Sequence, residues 1–205
     1  IERAVRGPAL FDTRLTLGGD FVASFDDMRS EFFNDIGGDA GLTKGGTGTL
    51  VLWGQNSYAG ATTINNGTVE LYGSLAGDIA IQPDGALSAD GGVARRSVDN
   101  RGTLRTDGNG LHILGDYTAE REANLTTQLG TALTVDGAAS LNDSTLVVTK
   151  PDDAYVVMSR ETAVKAGAVI GRFGTVTAGA GLLYAVSPDY SATQVDLNVA
   201  RKDVA

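Results

Sequence analysis

Apolar and polar positions alternate with period 2 in a series of short runs: Thr62-Thr63-Ile64, Asp78-Ile79-Ala80-Ile81, Leu111-His112-Ile113-Leu114 and Leu133-Thr134-Val135. Each run predicts a β-strand that is too short to be stable in isolation. Such strands need partners above and below them.

A motif recurs among these runs. Gly48-Thr49-Leu50-Val51-Leu52, Gly67-Thr68-Val69-Glu70-Leu71, Gly85-Ala86-Leu87-Ser88-Ala89 and Gly102-Thr103-Leu104-Arg105-Thr106 follow one another at nearly even intervals, and Gly137-Ala138-Ala139-Ser140-Leu141 comes after close to two more such intervals. Turn formers precede three of the glycines, in Asn65-Asn66-Gly67, Pro83-Asp84-Gly85 and Asn100-Arg101-Gly102, where the chain can take a positive φ. This short period, holding two or three strands, is what a parallel β-solenoid requires, because each coil buries its inward side chains only by stacking on the next. The reading is an all-β chain folded as a right-handed parallel β-helix, with Leu50, Leu52, Val69, Leu71, Leu87 and Leu104 as an interior ladder. The alternative is a β-sandwich that uses the same Asn-Gly and Asp-Gly turns as hairpins.

Both ends depart from the repeat. Residues 1–40 mix Phe21, Phe25, Phe32 and Phe33 with Asp26, Asp27, Glu31 and Asp35, and are read as a linker and irregular N-terminal cap. Residues 41–150 are read as the coils, and residues 151–205 as a C-terminal cap. In that cap Tyr155–Met158, Glu161–Lys165, Ile170–Phe173 and Leu182–Val186 suggest longer strands, the last pairing with Gln194–Val199 across Ser187–Ser191 as a closing hairpin.

Composition supports this picture: 28 Gly and 4 Pro in 205 residues suit short strands between tight turns. A net charge of −9, from 16 basic and 25 acidic residues with the basic ones dispersed, argues against nucleic acid as a partner. Cysteine is absent, which removes disulfides and thiolate metal sites. No apolar run is long enough to cross a membrane as a helix and no signal-peptide pattern is present, and the chain opens on Ile1, so it reads as a piece of a longer protein.

Candidate chemistry is sparse. A Ser-His-Asp site has only His112 to draw on, and the alternation around it turns that side chain outward. The pairs Asp26/Asp27 and Asp152/Asp153 put adjacent carboxylates on opposite faces of a strand or in solvated loops, a poor basis for glycoside hydrolysis. Gly37-Gly38-Asp39 lacks the repeated calcium-binding nonapeptide. Lys44-Gly45-Gly46-Thr47-Gly48-Thr49 lacks the spacing of a phosphate loop and reads as a corner. Trp53, Tyr58 and Tyr72 are either an aromatic platform for a sugar or a packing stack in the wall. No catalytic, cofactor-binding or metal-binding residue is therefore expected, and no cofactor or small-molecule substrate.

The stretch Gly41-Leu42-Thr43-Lys44-Gly45-Gly46-Thr47-Gly48-Thr49-Leu50, continued by Asn56-Ser57-Tyr58-Ala59-Gly60-Ala61-Thr62-Thr63-Ile64-Asn65-Asn66-Gly67-Thr68, closely resembles the passenger-associated repeat of bacterial type V autotransporters. Gly7-Pro8, Phe11-Asp12 and Asn34-Asp35-Ile36-Gly37-Gly38 are similar to the flanks found in the subtilisin-type serine protease branch of that family. The resemblance implies a non-catalytic stalk, secreted or displayed at the bacterial outer membrane. Its partners would be its own upstream passenger domain and its own C-terminal barrel, and its C-terminal coils would help the rest to fold. An adhesin module with a host surface ligand is the alternative. In a bacterial protein Asn124-Leu125-Thr126 and Asn142-Asp143-Ser144, which fit the glycosylation sequon, carry no role.

Overall fold

The computed structural model describes residues 10–11, 15–149, 159–178 and 184–201. These residues form a parallel β-solenoid of about seven turns with no helix. Each coil contributes a strand to each of three faces. The first face stacks Phe21–Ser24, Leu42–Gly45, residues 62–64, residues 79–81, Val98–Asn100 and Tyr117–Ala119, all parallel. Its register runs Phe21, Leu42, Thr62, Ile79, Val98, Tyr117 and Ala139, so the length of a coil varies along the stack. The variation is absorbed at the corners, and the side chains stay aligned along the axis. Parallel pairing between consecutive coils rules out the sandwich alternative, whose hairpins would be antiparallel.

The second face carries the Gly-Thr-Leu motif. Leu50, Val69, Leu87, Leu104, Leu125 and Leu146 lie in register and point inward, beside a second column of Leu52, Leu71, Ala89, Thr106, Thr127 and Val148. All twelve are buried. The expected interior ladder is therefore present, and each fully buried Leu or Val in it contributes about 1.5–3 kcal/mol through apolar area removed from water. The third face begins with the separate pair Leu15–Leu17 and Ile36–Gly38, and continues through Gln55–Asn56, Ser74–Leu75, Gly92–Ala94, Leu111–Ile113 and residues 133–135.

Corners are tied by aspartates. Asp20, Asp26, Asp35, Asp78, Asp90 and Asp116 each accept, through Oδ1, a backbone N–H from the following coil, at 2.6–3.2 Å. An amide at a corner has no strand partner to donate to, and a carboxylate supplies one. Much of the acidic excess is thus structural.

The parallel ladder begins earlier than the glycine spacing indicates. Residues 21–38, which the sequence groups with a cap, form strands on all three faces, with Phe21, Ala23, Phe25, Phe32 and Ile36 filling the interior. Phe21 and Phe32 meet edge to face at 6.5 Å. This coil lacks a leading glycine before Arg29–Phe32, so it falls outside the glycine repeat. Tyr155–Met158, Asp152/Asp153, Gly7-Pro8 and Leu182-Leu183 lie outside the described residues.

At the C-terminal end the chain changes pairing. Ser159–Ile170 joins the first and third faces in parallel, then receives Gln194–Arg201 antiparallel along its outer edge. Tyr184–Tyr190 pairs antiparallel with Gln194–Arg201, so the expected hairpin is present, with its turn at Ser191 to Thr193 rather than across Ser187–Ser191. Ser191 Oγ accepts the N–H groups of Thr193 and Gln194 and closes that turn. Ile170 ends its strand, and Gly171 to Phe173 form a corner instead of the strand read from the sequence. Arg160 clips the three strands together by donating to Asp189 at 2.8 Å and Asp196 at 3.0 Å, and Thr162 donates to the other oxygen of Asp196.

Candidate functional site

The first three coils hold two unusual clusters, one outside the wall and one inside. Outside, Phe33, Trp53 and Tyr72 each follow the last inward residue of a second-face strand. Backbone pairing carries the register into these positions, since Trp53 N–H donates to Phe32 O and Tyr72 N–H to Leu52 O, both at 3.0 Å. The rings stack along the axis, Phe33 on Trp53 at 6.1 Å and 9°, and Trp53 on Tyr72 at 4.1 Å and 10°. Phe33 is 48% and Trp53 41% exposed. Beside the stack, Arg29 donates to Glu31 at 3.0 Å and to Glu70, two coils away, at 2.5 Å. Trp53 Nε1 donates to Glu31 at 3.3 Å and Tyr72 OH to Glu70 at 3.4 Å. Val51, between Glu31 and Glu70 in the outer register, is fully buried although it faces outward. The hydrogen bond to Glu70, joined by that to Glu31, raises the Arg29 pKa further above its already high value.

The stack leaves Phe33 and Trp53 partly open to solvent at the outer wall. Tyr58 is not part of the column: it is fully buried, its hydroxyl 2.5 Å from Thr62 Oγ1, and burial pushes its phenol well above the usual range. The sequence grouping of Trp53, Tyr58 and Tyr72 is corrected in this respect, and Phe33 takes the place of Tyr58. Only the inter-coil register discloses that Phe33 belongs.

Inside, Lys44 occupies an interior column of the first face, between Ala23 and Ile64. It is wholly buried. Its ammonium donates to Gly45 O at 2.5 Å, Gly46 O at 2.8 Å and, in the next coil, Asn66 O at 3.3 Å. It also lies 4.7 Å from the Phe25 ring centre in the preceding coil. One cation thus touches three coils. The corner reading of Lys44–Thr49 holds, with residues 46–48 between strands, but the lysine points into the core because Leu42 and Lys44 share the inward side of their strand.

Burial lowers the Lys44 pKa from its usual 10.5 to about 8, and the charge of Asp26 opposes that shift. The folded state then releases this proton at lower pH than the unfolded chain does, so stability rises between about pH 8 and pH 10.5 and is flat below that window. Tyr58 and Tyr117 act in the opposite sense, since burial raises both phenols and the unfolded chain ionises them first, near pH 10. Between about pH 7 and pH 9.5 the wild-type chain should therefore gain stability relative to Lys44→Met, on the order of 2 kcal/mol. Urea midpoints of the two proteins across that window measure it; parallel pH profiles would show that Lys44 is not a buried cation.

The remaining candidates are dispersed. His112 points outward and lies 2.8 Å from Asp136, both substantially exposed. Asp26 and Asp27 sit at a corner, where Asp26 accepts from the N–H of Thr47 and Asp27 from its hydroxyl. Gly37-Gly38 belongs to a third-face strand, and Asp39 follows it. No group of three metal-ligating side chains occurs among the described residues. Asn124 starts a second-face strand, and Asn142 holds a corner by donating to Ala119 O at 3.0 Å.

Residues 42–71 match the family model for the passenger-associated-transport-repeat. This segment is an autotransporter passenger repeat. It spans the second coil and the third as far as Leu71, and contains Lys44, Trp53, Tyr58 and the Gly46–Gly48 corner. The chain is 36% identical over 147 residues to the Neisserial autotransporter lipoprotein NalP of Neisseria meningitidis serogroup B, covering 67% of this chain and 13% of that protein. It is 41% identical over 91 residues to an extracellular serine protease of Serratia marcescens, covering 43% of this chain and 9% of that one. It is also 33% identical over 126 residues to the adhesin BmaC autotransporter of Brucella suis biovar 1, covering 61% and 3%. The chain therefore spans a small part of these relatives, which include proteins named as a serine protease and as an adhesin.

Proposed function

We propose that this solenoid is a non-catalytic stalk in an autotransporter passenger. It supports translocation across the outer membrane, then folding and display of an upstream subtilisin-like serine protease domain outside the cell. The observation that carries this reading is the passenger repeat at residues 42–71 set in an unbroken parallel stack. At about 4.8 Å per coil, roughly seven coils make a stiff spacer about 35 Å long. Many titratable side chains among the described residues serve as corner ties or clips, with Lys44 as an interior cation, and this segment has no active site of its own. The serine protease name of the Serratia relative supports the assignment of the upstream domain.

Deleting residues 21–149 from the full-length protein tests this. The barrel is expected to insert normally while the upstream domain fails to reach the surface in a folded, protease-resistant form. Undiminished display, or peptidase activity in the isolated 205-residue chain, would overturn the stalk reading. The second reading, an adhesin module, is favoured by the relation to BmaC and by the exposed Phe33 and Trp53. It predicts saturable binding of the isolated chain to host cells or glycans, abolished by Trp53→Ala.

A further inference from the structure

We propose that Asn109 is this solenoid's site of spontaneous deamidation, that Asp90 of the preceding coil holds it unreactive while the corner is closed, and that conversion releases the joint between the fourth, fifth and sixth coils. This covalent ageing of the chain goes beyond the stalk reading and does not depend on it.

Asn-Gly is the pair in which the reaction is easiest, because glycine places no side chain in the way of its own nitrogen. The glycine nitrogen attacks the asparagine Cγ. The new N–Cγ bond closes a five-membered imide, the Cγ–Nδ2 bond breaks, and Nδ2 leaves as ammonia, taking the proton of the glycine N–H. Water then opens the imide at either carbonyl to give aspartate or isoaspartate. In isoaspartate the main chain runs through the side chain and is one methylene longer. Water is the only co-reactant.

The sequence holds two Asn-Gly pairs, Asn66-Gly67 and Asn109-Gly110. Asn66 is half-buried within the strand Thr62–Leu71, lies in register with Asp84 of the next coil, and uses its carbonyl to hold Lys44. Asn109 is exposed, at the corner between the second and third faces of the fifth coil.

Three hydrogen bonds restrain the reacting groups of Asn109 and Gly110. The Asn109 N–H and Nδ2 both donate to Asp90 Oδ1, at 2.8 and 3.1 Å, so one carboxylate oxygen fixes the backbone and the side-chain rotamer together. The Gly110 N–H donates to Asp107 O at 2.8 Å, which ties down the proton that the attack must remove. Asp90 reaches this position only because residue 108 is glycine: φ there is 52°, and a Cβ would lie 2.3 Å from Asp90 Oδ1.

The same corner joins three coils. Gly110 O accepts the N–H of Gly91 in the fourth coil at 2.8 Å, and Gly108 O accepts the hydroxyl of Thr131 in the sixth at 3.0 Å. Conversion replaces the donor amide with a second carboxylate beside Asp90, and like charges that close repel. The extra methylene of isoaspartate also moves Gly110 out of register with Gly91. Neither product can restore the lock.

The experiment incubates the 205-residue chain folded and in urea, at one pH and temperature, and follows both Asn-Gly pairs by peptide mass spectrometry with fragmentation that separates aspartate from isoaspartate. Asn109 is expected to convert at least about tenfold more slowly in the folded chain than in the denatured one, and faster than Asn66 in the folded chain. Asp90→Ala, with its fold checked by circular dichroism, should recover most of that factor at Asn109 and leave the Asn66 rate unchanged. Asn109→Asp, which installs one product directly, should lower the urea midpoint below that of the wild type. Equal Asn109 rates in the folded and denatured chains, an Asp90→Ala rate no faster than wild type, Asn66 converting ahead of Asn109, or an Asn109→Asp chain as stable as the wild type would overturn the proposal.

Discussion

Gly67→Ala is expected to destabilise the chain by about 2–5 kcal/mol, one of the largest losses available from adding a single methyl group. Gly67 forms the corner between the first and second faces of the third coil, with φ at 69°. A side chain in that left-handed conformation costs about 1–2 kcal/mol. The new Cβ would also lie 2.5 Å from Gly46 O, 2.5 Å from Gly48 O and 2.9 Å from Lys44 Nζ. No rotamer change relieves contact with two carbonyl oxygens of the coil below. The coils must part, which strains the ladder by a further 1–3 kcal/mol or so and loosens the acceptors around a buried ammonium. Gly19→Ala is the control, because nothing lies within 4 Å of a Cβ there; its effect should stay within about 0.5 kcal/mol. Urea unfolding of the three proteins gives the comparison. Equal midpoints for Gly67→Ala and wild type would mean that the corner can relax, and that the Gly-Thr signature is not a close-packing requirement.

The same corner explains why the architecture could be read in advance. Gly48, Gly67, Gly85 and Gly102 all lie where a coil crosses closely over the one before it, and at each a Cβ would meet a backbone oxygen at 2.5 Å or less. Contact between coils demands glycine at one recurring place, which makes the period visible in one dimension. The signal weakens where that demand is relaxed. Beyond Leu104 the interior register passes to Leu125, to Leu146 and then to Val176, each interval wider than those between the glycines and the last the widest. In the first coil the corner before Arg29–Phe32 is built from Asp26 and Asp27, the latter with φ at 52°, rather than from glycine.

The candidate site was only partly accessible to sequence reasoning. Trp53 and Tyr72 stand out as aromatic residues, but Phe33 joins them only once Phe32, Leu52 and Leu71 are known to share a column. Arg29 and Glu70 are far apart in the chain, and no local pattern links them. Lys44 is the sharpest case. Composition places lysine outside, whereas strand alternation places it beside Leu42, inside; alternation prevails because three carbonyls and a ring await the ammonium.

Asn100→Leu should cost about 3–5 kcal/mol and divide the unfolding transition. Asn100 lies in an interior column of the first face, between Ile81 and Ala119. It is fully buried. Its Nδ2 donates to Tyr117 OH at 3.0 Å and to Asn124 O at 3.1 Å, and its Oδ1 accepts the N–H of Gly102 at 3.1 Å. Leucine matches the volume and leaves all three partners unpaired in the core, each costing about 1–3 kcal/mol with partial relaxation. Tyr117→Phe removes one bond and leaves Asn100 its other two, so about 1 kcal/mol is expected. Joining the two changes should cost less than their sum, because the stranded hydroxyl is gone; the shortfall measures the coupling. Asn100 ties the fifth coil to the sixth near the middle of the rod. A nearest-neighbour stack weakened there need not unfold as one, and circular dichroism against urea should show two transitions where the wild type shows one. An Asn100→Leu variant as stable as Tyr117→Phe, with a single transition, would show that the stack's cooperativity passes through the ladders alone and owes nothing to this buried amide.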